Sequence, residues 1–212
     1  MKGKQLKGLV KVLSAFNDEM DTKVDFINDD EKITVCQIKP KSGDIFGVPL
    51  EGVLYIKPIT KMDFTNDMDY DISVDNDRYI VECDQERYQF TLHEGETIKV
   101  RSIPKIDYDH SFAIPVTELK QAMKKCAAIS DKCRFKDGRM EAEGNDMKIS
   151  ILLRMTPQEG STSICIKHLK KILNVAKGIV LLSYGEDLPV RIRWADEYYE
   201  YDTLIAPLVE ND

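Results

Sequence analysis

Leu6, Leu9, Val10, Leu13 and Phe16 recur at helical spacing, so residues 5–16 predict an amphipathic helix. Lys4, Lys7 and Lys11 lie on its other face. The period then shortens. Residues 23–27 and 32–38 alternate and predict a hairpin around the acid-rich turn 28–31, and 53–56 predict a further strand. A short helix is expected at 58–64, with Pro58 in its first turn. Strands follow at 70–74, 78–83 and 87–92, with Asp75-Asn76-Asp77 as a turn. From 95 to 111 no period survives, and Gly, Pro and charges mix as they do in a connector between domains. The expected division is 1–94, the connector 95–111, and 112–212.

The second half repeats the plan of the first. Residues 112–115 are extended. Thr117 is placed to cap a helix over 118–129, with Leu119, Ala122, Met123 and Cys126 on its apolar face and Lys120, Lys124 and Lys125 opposite. Strands at 133–135, 140–143 and 148–155 are joined by Asp137-Gly138 and Gly144-Asn145, both good hairpin turns. After a loop at 157–161, a second helix over 164–177 carries Lys167, Lys170, Lys171 and Lys177. Two strand-like runs split by Gly185-Glu186-Asp187-Leu188-Pro189 follow, and the chain closes through Leu204-Ile205-Ala206-Pro207. Helix, strands, helix, strands, twice over, predicts a strand-rich α+β protein of two similar domains.

Charge changes this picture. The 212 residues carry a net −7, which by itself argues against a nucleic-acid binder. The charges are segregated, however. Residues 1–16, 119–129 and 164–177 hold lysines and no acid, whereas 63–77 hold six aspartates and no base. A solvated helix face ordinarily mixes signs to gain i,i+4 pairs. Three faces that forgo this gain fit a partner that brings its own phosphates, contacted through the backbone alone because no Arg or Asn/Gln set is arranged to read bases. A plain solvated face remains the alternative for any one helix.

Other chemistry is sparse. Cys36, Cys83, Cys126, Cys133 and Cys165 are odd in number and lack CxxC spacing, so buried reduced thiols are expected. Asp63, Asp67, Asp69 and Asp71 lack the glycine and terminal glutamate of an EF-hand loop and read as acidic surface. His93, His110 and His168 are scattered, and there is no Walker loop, GxGxxG or GxSxG, which leaves an enzyme without machinery. No apolar run approaches the roughly 18 residues needed to cross a bilayer, and the charged N-terminus lacks the apolar core of a signal peptide. An intracellular protein is expected.

Several short pieces, in order, resemble one family. Ile103-Pro104-Lys105-Ile106-Asp107-Tyr108, continuing to Phe112-Ala113-Ile114-Pro115, is similar to the interdomain connector and second-domain start of the DNA polymerase sliding clamps, the family of proliferating cell nuclear antigen (PCNA). Residues 118–131, Asp137-Gly138, Glu143-Gly144-Asn145, the stretch 182–190 and the tail Leu204-Ile205-Ala206-Pro207-Leu208-Val209-Glu210 resemble that family's channel helix, hairpins, last strands and tail. The first half is more compact than in cellular members and in this looks like the shorter clamps of tailed phages.

The resemblance implies a DNA clamp fold: two similar domains per chain, helices lining a channel, antiparallel sheets outside, and a ring, most simply a homotrimer. It implies a non-enzymatic processivity factor, without cofactor or metal, that encircles double-stranded DNA irrespective of sequence. Lys4, Lys7, Lys11, Lys61, Lys120, Lys124, Lys125, Lys167, Lys170, Lys171 and Lys177 would then face the DNA. DNA polymerase, a clamp loader and other replication or repair proteins would dock apolar peptide motifs in a groove at Ile33, Val35, Ile103, Pro104, Pro189, Leu204, Ala206 and Pro207. For Ile33 and Val35 ordinary sheet core is an equal reading, and Arg101 stands where another apolar groove residue is expected. Subunits would join through strands carrying Arg87, Tyr88 and Phe90 on one side and Lys148, Ser150 and Leu152 on the other. The alternative is a clamp-fold checkpoint or adaptor subunit, or a viral transcription-linked clamp, in a hetero-oligomer.

Overall fold

A computed structural model describes residues 2–16, 34–40, 63–75, 78–91, 106–108, 111–154 and 160–208. The chain divides into two compact units: Met1–Asn28 with Lys39–Ser102, and Asp29–Ile38 with Ile103–Asp212. The expected strands at 23–27 and 53–56 lie outside the described residues, as does the helix expected at 58–64 apart from Asp63 and Phe64.

In the first unit, a meander runs β2 (Asp71–Asp75), β3 (Arg78–Glu82), β4 (Arg87–Thr91), and helix α1 (Gly3–Phe16) packs Leu6 and Val10 with the segment 63–70 and with Val81 of β3 and Tyr88 of β4. Leu6, Phe64, Tyr70 and Val81 form its core, flanked by Val10, Met68 and Tyr88. The start of α1 is tied down by backbone. The amides of Gly3 and Lys4 donate to the carbonyls of Met68 and Asn66 at 2.9 and 3.1 Å, and the Lys2 amide donates to Gln5 Oε1 at 2.9 Å. Gly3 is required there, because a Cβ would fall 1.8 Å from the Thr65 carbonyl oxygen. Glu86 gathers the other side: the Tyr70 and Tyr88 hydroxyls donate to its Oε2 at 2.9 and 3.0 Å.

The second unit has two sheets and two helices. One sheet runs β8 (Lys148–Leu152), β7 (Arg139–Glu143), β6 (Lys132–Lys136), β9 (Ser161–Cys165); the other runs β1 (Thr34–Pro40), β12 (Tyr199–Ile205), β11 (Val190–Ala195), β10 (Ile179–Ser183), β5 (Ser111–Pro115). Helix α2 (Val116–Ala127) follows β5, and α3 (Ile166–Val175) follows β9. Each leading strand therefore joins the other repeat's meander: β5 pairs with β10, and β9 with β6. The repeat is legible at an offset of 50, since Val116, Leu119, Ala122 and Met123 correspond to Ile166, Leu169, Ile172 and Leu173, all buried.

Burial alternates along the strands, as one covered face demands. The inward rows meet around Tyr184, whose ring lies 5.6 Å from Phe135 and 6.5 Å from Phe112, and whose hydroxyl accepts from the Gly138 amide at 2.7 Å. Asp137 and Gly138 both take positive φ, 50° and 72°, as a type I′ hairpin turn requires. Cys126 and Cys133 are buried free thiols, and burial pushes both up from the ordinary thiol range.

Three expectations need correction. Thr117 does not cap α2. The helix starts at Val116 directly from the strand with Pro115 as N-cap, and the first amide is satisfied by the Gly178 carbonyl at 2.9 Å. The second helix does not begin at 164 or reach 177: Ser161–Cys165 is a strand, with Ile164 opposite Cys133, and α3 spans only Ile166–Val175. Its first amide donates to the Asp131 carbonyl at 2.8 Å. In both cases a distant carbonyl replaces the local cap, so the sequence near the helix start carries no capping signal. The loop expected at 157–161 gives way to β9 from Ser161 onward.

Candidate nucleic-acid interface

Helices α2 and α3 pack on one another and on the sheets through their apolar stripes, and the opposite faces carry the lysines. Lys124 and Lys125 on α2, Lys167 and Lys170 on α3, and Lys177 just past α3 are exposed; Lys120 and Lys171 are half-buried. Lys120 and Lys170 occupy equivalent places in the repeat. Among the described residues no carboxylate pairs with Lys120, Lys124, Lys125, Lys167, Lys170 or Lys177. The second unit thus presents a cationic surface built from two helices, six of whose lysines have no carboxylate partner among the described residues.

The first unit differs. Lys4 and Lys11 are exposed on α1, but Lys7 lies 3.5 Å from Asp63, and Lys2 pairs with Asp69 across the bridge joining the chain start to the acidic stretch. The Lys2 ammonium holds the Asp69 carboxyl below its usual range. Part of the charge on α1 is therefore already balanced. Lys61 lies outside the described residues.

Of the expected groove residues, Ile33, Ile103 and Pro104 lie outside the described residues, and Val35 is described only as part of the backbone of β1. Pro189, Ala206 and Pro207 are half-buried, while Leu204 is only 5% exposed and offers little surface. These residues come together because β11 and β12 pair antiparallel, bringing the start of one beside the end of the other. The connector residue Tyr108 reaches the same place, its hydroxyl donating to the Pro189 carbonyl at 2.7 Å. Burial foremost, with Asp202 adding and Arg191 opposing, pushes its phenol up to about 12. Sequence reading passed over Tyr108, Arg191 and Asp202 as members of this surface. Arg191 donates from Nε to Asp202 Oδ1 at 2.9 Å and from Nη2 to Oδ2. The available signal was basic residues at 191 and 193 in an otherwise apolar strand.

Among the described residues, β4 and β8 are each the end strand of a sheet. Arg87 and Lys148 are exposed and ion-paired within their own sheets, to Glu82 at 3.3 Å and Glu143 at 3.4 Å. Tyr88 is half-buried and Ser150 exposed; Phe90 is described only in its backbone. Ile149 and Ile151, on the inward face of β8, stay half-exposed, and Met147 and Leu152 are 63% and 48% exposed. Among the described residues no group of His, Cys, Asp or Glu is placed to hold a metal ion, and no helix is long and apolar enough to cross a membrane.

An α+β chain whose paired helices, basic on their free faces, back onto antiparallel sheets has the architecture of a DNA clamp. No protein-family model and no curated protein matches the chain. Solved structures do. The chain is similar to A. fulgidus PCNA in a structure of the C-terminal region of FEN-1 bound to it, at a TM-score of 0.74 and 18% identity, covering 100% of this chain and 98% of that one. It is similar to PCNA from Thermococcus kodakaraensis at a TM-score of 0.61 and 15% identity, covering 96% and 97%. The chain has a PCNA-like sliding-clamp fold.

Proposed function

We propose that this protein is a DNA sliding clamp, a non-enzymatic processivity factor that encircles duplex DNA and tethers a polymerase and other replication or repair proteins to it. The observation that carries the reading is the set of lysines on and beside α2 and α3 (Lys120, Lys124, Lys125, Lys167, Lys170 and Lys177) that have no carboxylate partner among the described residues, on a chain that matches the clamp fold along its whole length. Such a surface neutralises phosphates without selecting bases, and a clamp needs diffuse, sequence-blind attraction that still permits sliding. Tethering then raises the effective concentration of polymerase at its template, with no bond made or broken by the clamp.

In this reading the protein works inside the cell, with the DNA, as a ring of three copies. Edge strands β4 and β8 supply the joints, and the under-buried apolar residues of β8 favour closure. Partner peptides with apolar anchors dock at Pro189, Ala206 and Pro207. The test is a primer-extension assay with the cognate polymerase. Reversing Lys124 and Lys167 to Glu is expected to abolish stimulation while assembly and folding persist; unchanged stimulation contradicts the assignment of the lysine surface.

A further inference from the structure

The surface beside the docking residues is not uniformly apolar. Along the outward faces of β11 and β12 the rungs read Arg191 opposite Leu204, Arg193 opposite Asp202, and Ala195 opposite Glu200, with Pro189 and Ala206 just beyond the first rung. Both Asp202 oxygens are taken by Arg191, and that pair is only 20% and 18% exposed. Arg193 faces the same aspartate from across the ladder, finds it occupied, and is exposed. Glu200 makes no ion pair with it, so among the described residues Arg193 has no carboxylate partner. The sheet thus runs from an apolar end, through a largely buried two-point ion pair, to a guanidinium without a carboxylate partner among the described residues.

We propose that this face selects extended peptides carrying a carboxylate four residues from an apolar anchor, with Arg193 receiving the carboxylate. The proposal rests on reading Pro189, Ala206 and Pro207 as the anchor site. Four residues separate Pro189 from Arg193 along the strand, about 13 Å. An extended peptide running from the anchor site past Tyr108 to Arg193 spans that distance in four of its own residues and turns both side chains to the same side. Guanidinium binds carboxylate through two parallel N–H···O bonds, which favours an acid over a neutral or basic residue at that place. The Arg191–Asp202 pair contributes by occupying the aspartate that Arg193 would otherwise engage, leaving its fork open for the peptide.

The test uses the full chain and fluorescently labelled peptides that share one apolar anchor and differ only four residues away, on either side of it: Glu, Ala or Lys. The Glu peptide is expected to bind about fivefold more tightly than the Ala peptide, and the Lys peptide more weakly than both, with the differences shrinking in high salt. Arg193→Glu is expected to invert the order and Arg193→Gln to flatten it, with thermal unfolding unchanged for both. Equal binding of all three peptides, or an order unaffected at Arg193, overturns the selectivity and leaves the groove intact. Failure of every peptide to bind overturns the groove itself, and this proposal with it.

Discussion

Replacing Lys124 and Lys170 by Gln probes the lysine surface with little risk to the fold. Both side chains are exposed, one on each helix, and neither has a carboxylate partner among the described residues. Removing them should therefore change stability by no more than about 0.5 kcal/mol. On DNA the account differs. Each lysine that meets a phosphate releases counterions and contributes about 0.9 to the slope of log affinity against log salt, so the pair contributes up to about 1.8 per copy. An exposed ion pair adds about 0.2–1 kcal/mol, so two lost pairs weaken binding about 2- to 30-fold. Duplex binding titrated from low to moderate salt reads both quantities. Lys7→Gln is the internal control: Lys7 already stands 3.5 Å from Asp63, so its loss should move the slope less than either replacement in the second unit. An unchanged slope in the double variant, or an equal shift from Lys7→Gln, refutes the claim that uncompensated lysines do the binding.

Other expectations follow from single sites. Gly→Ala ordinarily favours a helix by about 1 kcal/mol; Gly3→Ala should instead destabilise, because its Cβ meets backbone at 1.8 Å, and a raised melting temperature would contradict this. Leu169→Ala empties a fully buried place where α3 meets the sheets and should cost about 2–5 kcal/mol in chemical denaturation. Ala206→Arg should block apolar peptide binding by filling the anchor site, with subunit assembly unchanged by sedimentation. Tyr108 has its phenol raised from the ordinary 10 to about 12, so its contribution is complete below about pH 10 and is lost as pH rises through about 12. In an alkaline spectrophotometric titration, Tyr108→Phe should remove one late-titrating phenol; loss of one that titrates near 10 would contradict the burial argument.

Much of the fold was legible because its strands alternate cleanly and its helices carry regular apolar stripes. The Asp137-Gly138 turn and the apolar face of α2 needed only local rules. What escaped was set by distant backbone. Val116 and Ile166 begin helices on carbonyls of Gly178 and Asp131, so neither start leaves a capping residue in the local sequence. Ser161–Cys165 was lost for the same kind of reason: a five-residue strand that runs straight into a helix looks like loop and helix unless its pairing with β6 is known. The lysine faces were readable from charge segregation alone. The balancing of Lys7 by Asp63 was not, because 56 positions separate them in sequence and only the packing of the acidic segment on α1 brings them together. Arg191 and Asp202 likewise became a pair only through the antiparallel hairpin of β11 and β12.

Encirclement of DNA is a topological property, and native mass of the protein alone and on closed circular DNA, before and after the circle is cut, reads it out. A clamp gives three copies, retained on the closed circle when loaded and shed when the DNA is linearised. A monomer at micromolar concentration, or retention that is indifferent to cutting, contradicts it.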